Sequence, residues 1–380
     1  DINQAMEKKW VFSSTSMSIK GQTFESFDPE IRSICIDIPL NKILVGTKSS
    51  EIYIADYEEK ANNLTWDLIV AGHYADELWG LAVNPEDPTI FATAGDDKTV
   101  RVWQRIPESG HVELMHICKC RDMSRAIAWF DGNVLIAGLG GRVGRKVITG
   151  KRKKRRKKGK KKKEEDADHS GEVDIFDLKN NKNKIIEANS SSYKFDAKHL
   201  PRDWISDVKV NESKNTSNKF IGLAAHDQKV WMYRMDNDGT FKFKGYCSKS
   251  SSAVTHFDFG TDGKNIVIRT NDLSEEVLRY NLKKSIKKGV FKNITKLREV
   301  RDVQWQSDTC ILEWGTEGIW PQGAASDDIN AVCTSNTGNI IVSADDHGHI
   351  NLFNYPCTTP GASPVVGKGH SSHVMNVRFS

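Results

Sequence analysis

The chain has 380 residues, 38% of them hydrophobic, and a formal charge of +5 at neutral pH. A chain this long can bury about three quarters of its unfolded surface, so a large core is available. No apolar run approaches the ~20 residues a membrane-spanning helix needs. The first residues, Asp1-Ile2-Asn3-Gln4, show no basic stretch followed by an apolar one, so no signal peptide is expected. They also lack a starting Met, and a fragment or trimmed chain is expected. Seven cysteines (Cys35, Cys118, Cys120, Cys247, Cys310, Cys333 and Cys357) are scattered and odd in number. That pattern favours free thiols in a reducing compartment. Cys118-Lys119-Cys120 is the one close pair, and nothing completes it as a zinc site.

In chain order, residues 1–28 read as an N-terminal extension, or as strands of a preceding or closing blade. Blade-like units then follow. Ile31 to Ile38, Lys42 to Thr47 and Glu51 to Ala55 form the first. The second sets the template: Gly72-His73, Glu77 to Val83, Phe91 to Ala94, Asp97, and Thr99 to Trp103. Its three period-two runs are separated by Asn84-Pro85 and Gly95-Asp96-Asp97, which reads as strand, turn, strand, turn, strand. A Gly-His before the first strand and a Trp ending the third mark a WD repeat. Ser124 to Trp129, Val134 to Gly138 and Gly171 to Leu178 form the third unit. Ile205 to Val210, Phe220 to Ala224 and Lys229 to Tyr233 form the fourth. The fifth comprises Val254 to Phe259, Asn265 to Arg269 and Glu276 to Tyr280. Asp328 to Cys333, Asn339 to Ala344 and His349 to Phe353 make the sixth, and Gly369-His370 opens a further strand, Val374 to Phe379.

The expected fold is therefore all-β: a WD-repeat β-propeller over residues 29–380, with four-stranded antiparallel blades, six readable and a seventh partial. Ring closure would come from residues near Trp10 to Ile19 or from further strands in a longer protein. Long helical patterns are absent. Lys283 to Leu297 is the best helical candidate, against a basic connecting loop with a short strand.

Charge is concentrated in the third unit. Lys151, Arg152, Lys153, Lys154, Arg155, Arg156, Lys157, Lys158, Lys160, Lys161, Lys162 and Lys163 place twelve cations in thirteen residues. Subtracting those twelve from +5 leaves a formal −7 for the rest of the chain. A like-charged block cannot bury apolar area, so 143–170 reads as a disordered lysine-rich insert between two strands. It would be drawn to acidic partners.

Within a WD unit, a His before the first strand, a Ser or Thr on the second, an Asp in the next turn and a Trp on the third can hydrogen-bond in series. His73, Thr93, Asp97 and Trp103 are the candidates, with Asp227, Asp346 and His370 at related places. The role expected is structural, because such buried polar groups must be satisfied. A Ser/Thr–His–Asp set also suggests a hydrolase triad, but no G-x-S-x-G elbow accompanies it. Gly138-Leu139-Gly140-Gly141 lacks dinucleotide-binding spacing. Asp345-Asp346-His347 reads as a tight turn rather than a metal site. No catalytic, cofactor or metal residues are expected.

Several stretches carry a more specific likeness. They are Glu77 to Pro85, Arg301-Asp302-Val303-Gln304-Trp305, Thr309-Cys310, Gly318-Ile319-Trp320-Pro321, Asp328 to Val332, Ala344 to Asp346, Phe353 to Cys357, and Gly369 to Val374. In words and in order they resemble the C-terminal WD-repeat propeller of the tandem-propeller domain in the echinoderm microtubule-associated-protein-like family. The likeness runs from about Ile31 to Ser380, and the lysine-rich insert departs from it. The resemblance implies a non-catalytic scaffold that binds tubulin or microtubules in the cytoplasm, at the cytoskeleton, with a ciliary location compatible. Other proteins would use the propeller faces, and no membrane partner is implied. The alternative is a nuclear or RNA-associated WD scaffold whose basic insert meets phosphates without sequence specificity. No aromatics interleave the insert to stack on bases.

Overall fold

The computed structural model describes residues 30–56, 64–140, 171–179, 185–188, 193–196, 198–211, 219–236, 238–261, 265–287, 289–321, 323 and 328–380. It also describes the backbone of three short strands within 11–25. Antiparallel sheets dominate. Blade 1 comprises Ile31–Asp37, Lys42–Thr47, Ile52–Asp56 and Trp66–Val70. Blade 2 comprises Leu78–Val83, Ile90–Gly95, Thr99–Arg105 and Val112–Lys119. Blade 3 has three strands, Ser124–Trp129, Val134–Leu139 and Val173–Asp177. Blade 4 runs through Ile205–Val210, Phe220–Ala225, Lys229–Met235 and Thr240–Cys247. Blade 5 is built from Val254–Thr261, Ile266–Asp272, Val277–Lys287 and Val290–Asn293. Ile329–Thr334, Ile340–Asp345, His349–Asn354 and Val365–Lys368 form blade 6.

Two repeats appear in the backbone that no sequence word announces. Every inner strand loses register at its second residue: between Ile31 and Ser33, Leu78 and Gly80, Ser124 and Ala126, Ile205 and Asp207, Val254 and His256, and Ile329 and Ala331. A bulge there re-aims one side chain toward the neighbouring blade. The turn joining the second and third strands carries a left-handed residue in five blades: Ser50, Lys98, Gln228, Glu275 and Gly348. Only Gly348 adopts that conformation without a Cβ penalty. In blade 3 the same turn is replaced by residues 140–172, which include the lysine-rich insert.

The core lies between blades, because each sheet buries both faces. Ala92, Val100 and Val102 of blade 2 meet Ile127, Leu135 and Phe176 of blade 3. Ile136 and Ile175 of blade 3 meet Val208, Leu223 and Tyr233 of blade 4. Met232 of blade 4 meets Phe257, Ile268 and Tyr280 of blade 5. Each large side chain so buried contributes about 1.5–3 kcal/mol. Inner strands of blades 2 to 5, with Asn376 and Arg378, surround a central cavity of about 620 Å³. Outer strands also join sideways. Ile185–Glu187 adds in parallel to the outer strand of blade 2, and the sheets of blades 4 and 5 meet in parallel at Tyr246 and Val290.

Blade 1 differs. Its own cluster centres on Ile43 and Val45, and its inner strand leaves Ile34 47% and Ile36 41% exposed. Blade 6 packs on one side against Ile311 and Ile319, and on the other against Val374 and Val377.

Three expectations need revision. The helical candidate Lys283 to Leu297 is instead the end of the strand Val277–Lys287, the strand Val290–Asn293 and the one-turn helix Leu297–Glu299. The strand begins before the candidate, where Val277 to Tyr280 pair residue by residue with Asn271 to Ile268, and Lys283 and Lys284 lie exposed further along it. Residues 374–379 form no regular strand among the described residues. Val374 N–H donates to the Asp345 carbonyl at 2.9 Å, and side chains add Asn330 Nδ2 to the Val374 carbonyl at 3.2 Å and Asn376 Nδ2 to the Trp79 carbonyl at 3.0 Å. Among the described residues blade 3 has no fourth antiparallel strand, and Ile185–Glu187, after Asp177, joins blade 2 instead.

Candidate functional site

Blade 2 brings His73, Thr93, Asp97 and Trp103 together. Trp103 Nε1–H donates to Thr93 Oγ1 at 2.8 Å. Thr93 Oγ1 lies 2.9 Å from His73 Nε2, and His73 Nδ1 lies 3.0 Å from Asp97 Oδ1. With the indole proton on the hydroxyl oxygen, the hydroxyl proton points at Nε2 and Nδ1–H points at Asp97. Thr99 donates to the same carboxylate through its backbone N–H at 3.0 Å and its hydroxyl at 2.8 Å. Burial pushes the Asp97 carboxyl up, but His73, Thr99 and Arg101 outweigh it and hold it below its ordinary value. Arg101, fully buried, stands 3.8 Å from Asp97 Oδ2. The hydroxyl that would be a nucleophile is thus held by two ring nitrogens.

One residue earlier, Asp96 ties blade 2 to blade 3. Arg125, the bulge residue of blade 3, donates to both Asp96 oxygens at 2.9 Å. Its guanidinium lies 4.2 Å from the ring centre of Trp79 and 4.3 Å from that of Trp204. Trp204 packs at 4.0 Å on His226, whose imidazole burial pushes down to about 4. The segment from Pro201 to Ile205 meets both ends of the insert. A Cβ at Gly140, which has φ +143°, would come within 2.2 Å of Trp204 Cβ. Gly171 N–H donates to the Pro201 carbonyl at 2.9 Å. The twelve cations from Lys151 to Lys163 lie outside the described residues.

The other sequence candidates stand apart from any such four-residue chain. Asp227 accepts from Trp231 Nε1 at 3.0 Å and from the Arg202 backbone at 3.1 Å. Asp346 is exposed and accepts from Asn330 Nδ2 at 2.7 Å. The buried turn carboxylate of blade 6 is Asp345, which accepts from the backbones of His347 and His349 and from Asn351. His370 is exposed, and no hydrogen bond of its ring is found among the described residues. His373, three residues on, reaches Glu77 of blade 2 at 3.2 Å.

The densest polar cluster escaped the sequence. Asp258 of blade 5 is fully buried. It accepts from Thr309 Oγ1 at 2.8 Å, from the backbones of Thr309 and Cys310 at 3.0 Å, from Ser307 Oγ and from Arg269 Nε at 3.1 Å. Arg269 also reaches Asp308, while Arg279 makes two 2.8 Å bonds to Glu313. Burial alone would raise the Asp258 carboxyl, yet Arg269, Lys209 and the hydroxyls hold it far below the usual range. The one sequence trace was Thr309-Cys310, whose N–H groups serve Asp258. No group of three or more His, Cys, Asp or Glu able to hold a metal is found among the described residues.

Bladed sheets stacked about a central cavity, with a His linking a turn carboxylate to a Thr that accepts from a Trp, define a WD-type β-propeller. Residues 78–380 match the family described as the echinoderm microtubule-associated protein second beta-propeller, and the chain belongs to that family. It is 30% identical to echinoderm microtubule-associated protein-like 2 of Rattus norvegicus, covering 89% of this chain and 42% of the relative. Against the like 1 protein of the same species it is 26% identical, over 95% of this chain and 36% of the relative. Like 3 of Mus musculus is 25% identical over 90% of this chain and 31% of the relative. The chain thus spans less than half the length of the curated relatives it matches.

Proposed function

We propose that the chain is a non-catalytic protein-interaction scaffold of the cytoskeleton that binds tubulin or microtubules from the cytoplasm. The carrying observation is the family match over 78–380, to a family whose relatives are named for microtubule association. The polar groups that imitate a catalytic triad support the same reading, because His73, Thr93, Asp97 and Trp103 serve one another within blade 2. They act as a blade lock. The cations Lys151 to Lys163 add a salt-sensitive attraction to acidic surfaces. Their segment is rooted at Gly140 and Gly171, beside the bulge end of the inner strands.

Co-sedimentation with microtubules, run against RNA binding at matched salt, tests the proposal. Wild type is expected to pellet with microtubules and to bind RNA more weakly. Deleting residues 151–163 should remove the salt-sensitive part of the binding and leave the melting temperature unchanged. Absence of pelleting at low salt, with tight RNA binding, would replace this function by the RNA-associated scaffold.

A further inference from the structure

Blade 5 ends in a basic run that the function above does not use. Residues 283–301 hold eight cations and one acid, Glu299, within a chain that is otherwise acidic outside its insert. The fold does not disperse them. Lys283 and Lys284 sit at the outer end of the strand Val277–Lys287, and Lys292 sits on its partner Val290–Asn293. Lys296, Arg298 and Arg301 follow on the segment that leaves this edge, and all six side chains are exposed. The parallel junction at Tyr246 and Val290 then brings the outer strand of blade 4 onto the same edge. Lys249, also exposed, joins there, its backbone N–H donating to Tyr280 Oη at 3.0 Å. Nearby carboxylates are partly committed: Asp236 pairs with Lys242, Asp302 stands 3.7 Å from Arg301, and Glu276 accepts from Ser251.

We propose that this joined edge of blades 4 and 5 binds an extended acidic polypeptide segment. Ammonium groups spread along strand ends match carboxylates spaced at the ~3.3 Å rise of an extended chain. The aromatic rings on these strands of blades 4 and 5 are engaged within the fold: Phe241, Tyr280 and Phe291 are buried, and the half-buried Phe243 and Tyr246 pack on His199 and Trp231. No ring of theirs is left to stack on bases, so an acidic peptide fits better than single-stranded nucleic acid. This edge belongs to the folded blades and is distinct from the lysine-rich insert. The proposal does not depend on microtubule binding.

The test is fluorescence anisotropy with a labelled oligo-glutamate peptide and, at matched salt, a labelled oligo-uridine. Wild type should bind the peptide with an affinity that falls as salt rises. The quadruple variant Lys284→Glu, Lys292→Glu, Lys296→Glu, Arg298→Glu should bind it at least about tenfold more weakly. The same four positions changed to Gln give a milder loss, about threefold, and serve if the Glu variant melts early. Because the insert also attracts acidic surfaces, the edge variants are compared in a chain whose cations of 151–163 are changed to Gln, and that parent chain should still bind the peptide in a salt-sensitive way. Unchanged affinity in the edge variants overturns the proposal, as does loss of peptide binding in the parent chain itself. Tighter oligo-uridine binding that the edge variants abolish also overturns it, in favour of nucleic acid. Microtubule pelleting of the same variants is read separately, so each function can fail alone.

Discussion

Blades 2 and 5 perform the same task with different parts. In blade 2 the donors and acceptors come from one repeat: His73, Thr93, Asp97, Thr99 and Trp103 all lie on its strands or turns. In blade 5 the acceptor Asp258 is served by Ser307, Thr309 and Cys310, about fifty residues away on the connection to blade 6. Both arrangements bury charge, which is tolerable only when it is paired and hydrogen-bonded. The blade 2 lock orders its own turns. The blade 5 lock fastens a long non-repeat connection, and through Asp308 and Thr334 it reaches blade 6. A polar core can therefore be local and periodic or distant and aperiodic within one propeller.

The sharpest way to break this comparison is to remove the two acceptors. Replacing Asp258 by Ala strands the donors of Ser307, Thr309 and Cys310 and leaves Arg269 hydrogen-bonded to Asp308 and the Ser307 carbonyl alone. The expected cost is about 3–5 kcal/mol, the range for breaking a buried ion pair. Chemical denaturation should show it, along with faster proteolysis of the 301–321 connection. Asp97→Ala strands His73, Thr99 and Arg101 but leaves the Thr93–Trp103 bond, and about 2–3 kcal/mol is expected. If Asp97→Ala costs more than Asp258→Ala, the local lock is the stronger of the two and the expected order is reversed.

That difference also explains what the sequence revealed. The inner three strands of most blades were legible because their faces alternate between neighbours and their turns carry Gly, Asn, Asp or Pro. Outer strands were not: Val365 and Val366 are adjacent and both exposed, so Val365–Lys368 has no period to detect. The His73 lock was legible because His, Thr, Asp and Trp stand in the order and spacing of the WD-repeat signature within one unit. Asp258 and Arg269 were invisible, since their partners are set by the path of a connection rather than by a period. Asp346 illustrates a one-residue slip. Register pairs Asp345 with Ile329 as it pairs Gly95 with Leu78, so Asp346 corresponds to Asp96 rather than to Asp97.

Acid separates the regions in another way. Burial pushes His226 of blade 4 and His256 of blade 5 down to about 4 from an ordinary 6.5. Between those values the unfolded chain binds protons that the folded chain refuses, so stability falls as pH drops from about 6.5 to about 4. The depressed Asp258 carboxyl works lower: its contribution is full above the ordinary 3.8 and is lost only as pH falls further. Melting temperature against pH should therefore decline first through the histidine window. His226→Phe, which keeps a ring against Trp204, should flatten that decline. An unchanged slope in both His226→Phe and His256→Phe would assign the window to other groups.

The smallest effect expected is at His370, and it isolates what makes a Gly-His pair structural. Gly72-His73 and Gly369-His370 are the same word in sequence. His73 meets a hydroxyl on the second strand and a carboxylate in the following turn of its own blade. Among the described residues after His370 there is no second strand to supply either, and its ring is exposed. His370→Ala should therefore stay within about 0.5 kcal/mol of wild type, as surface substitutions do. His73→Ala should cost about 1–3 kcal/mol by stranding Thr93 and Asp97. Paired thermal melts measure the contrast. A His370→Ala variant as unstable as His73→Ala would mean that the word is structural wherever it occurs, and that partners for His370 lie outside the residues described.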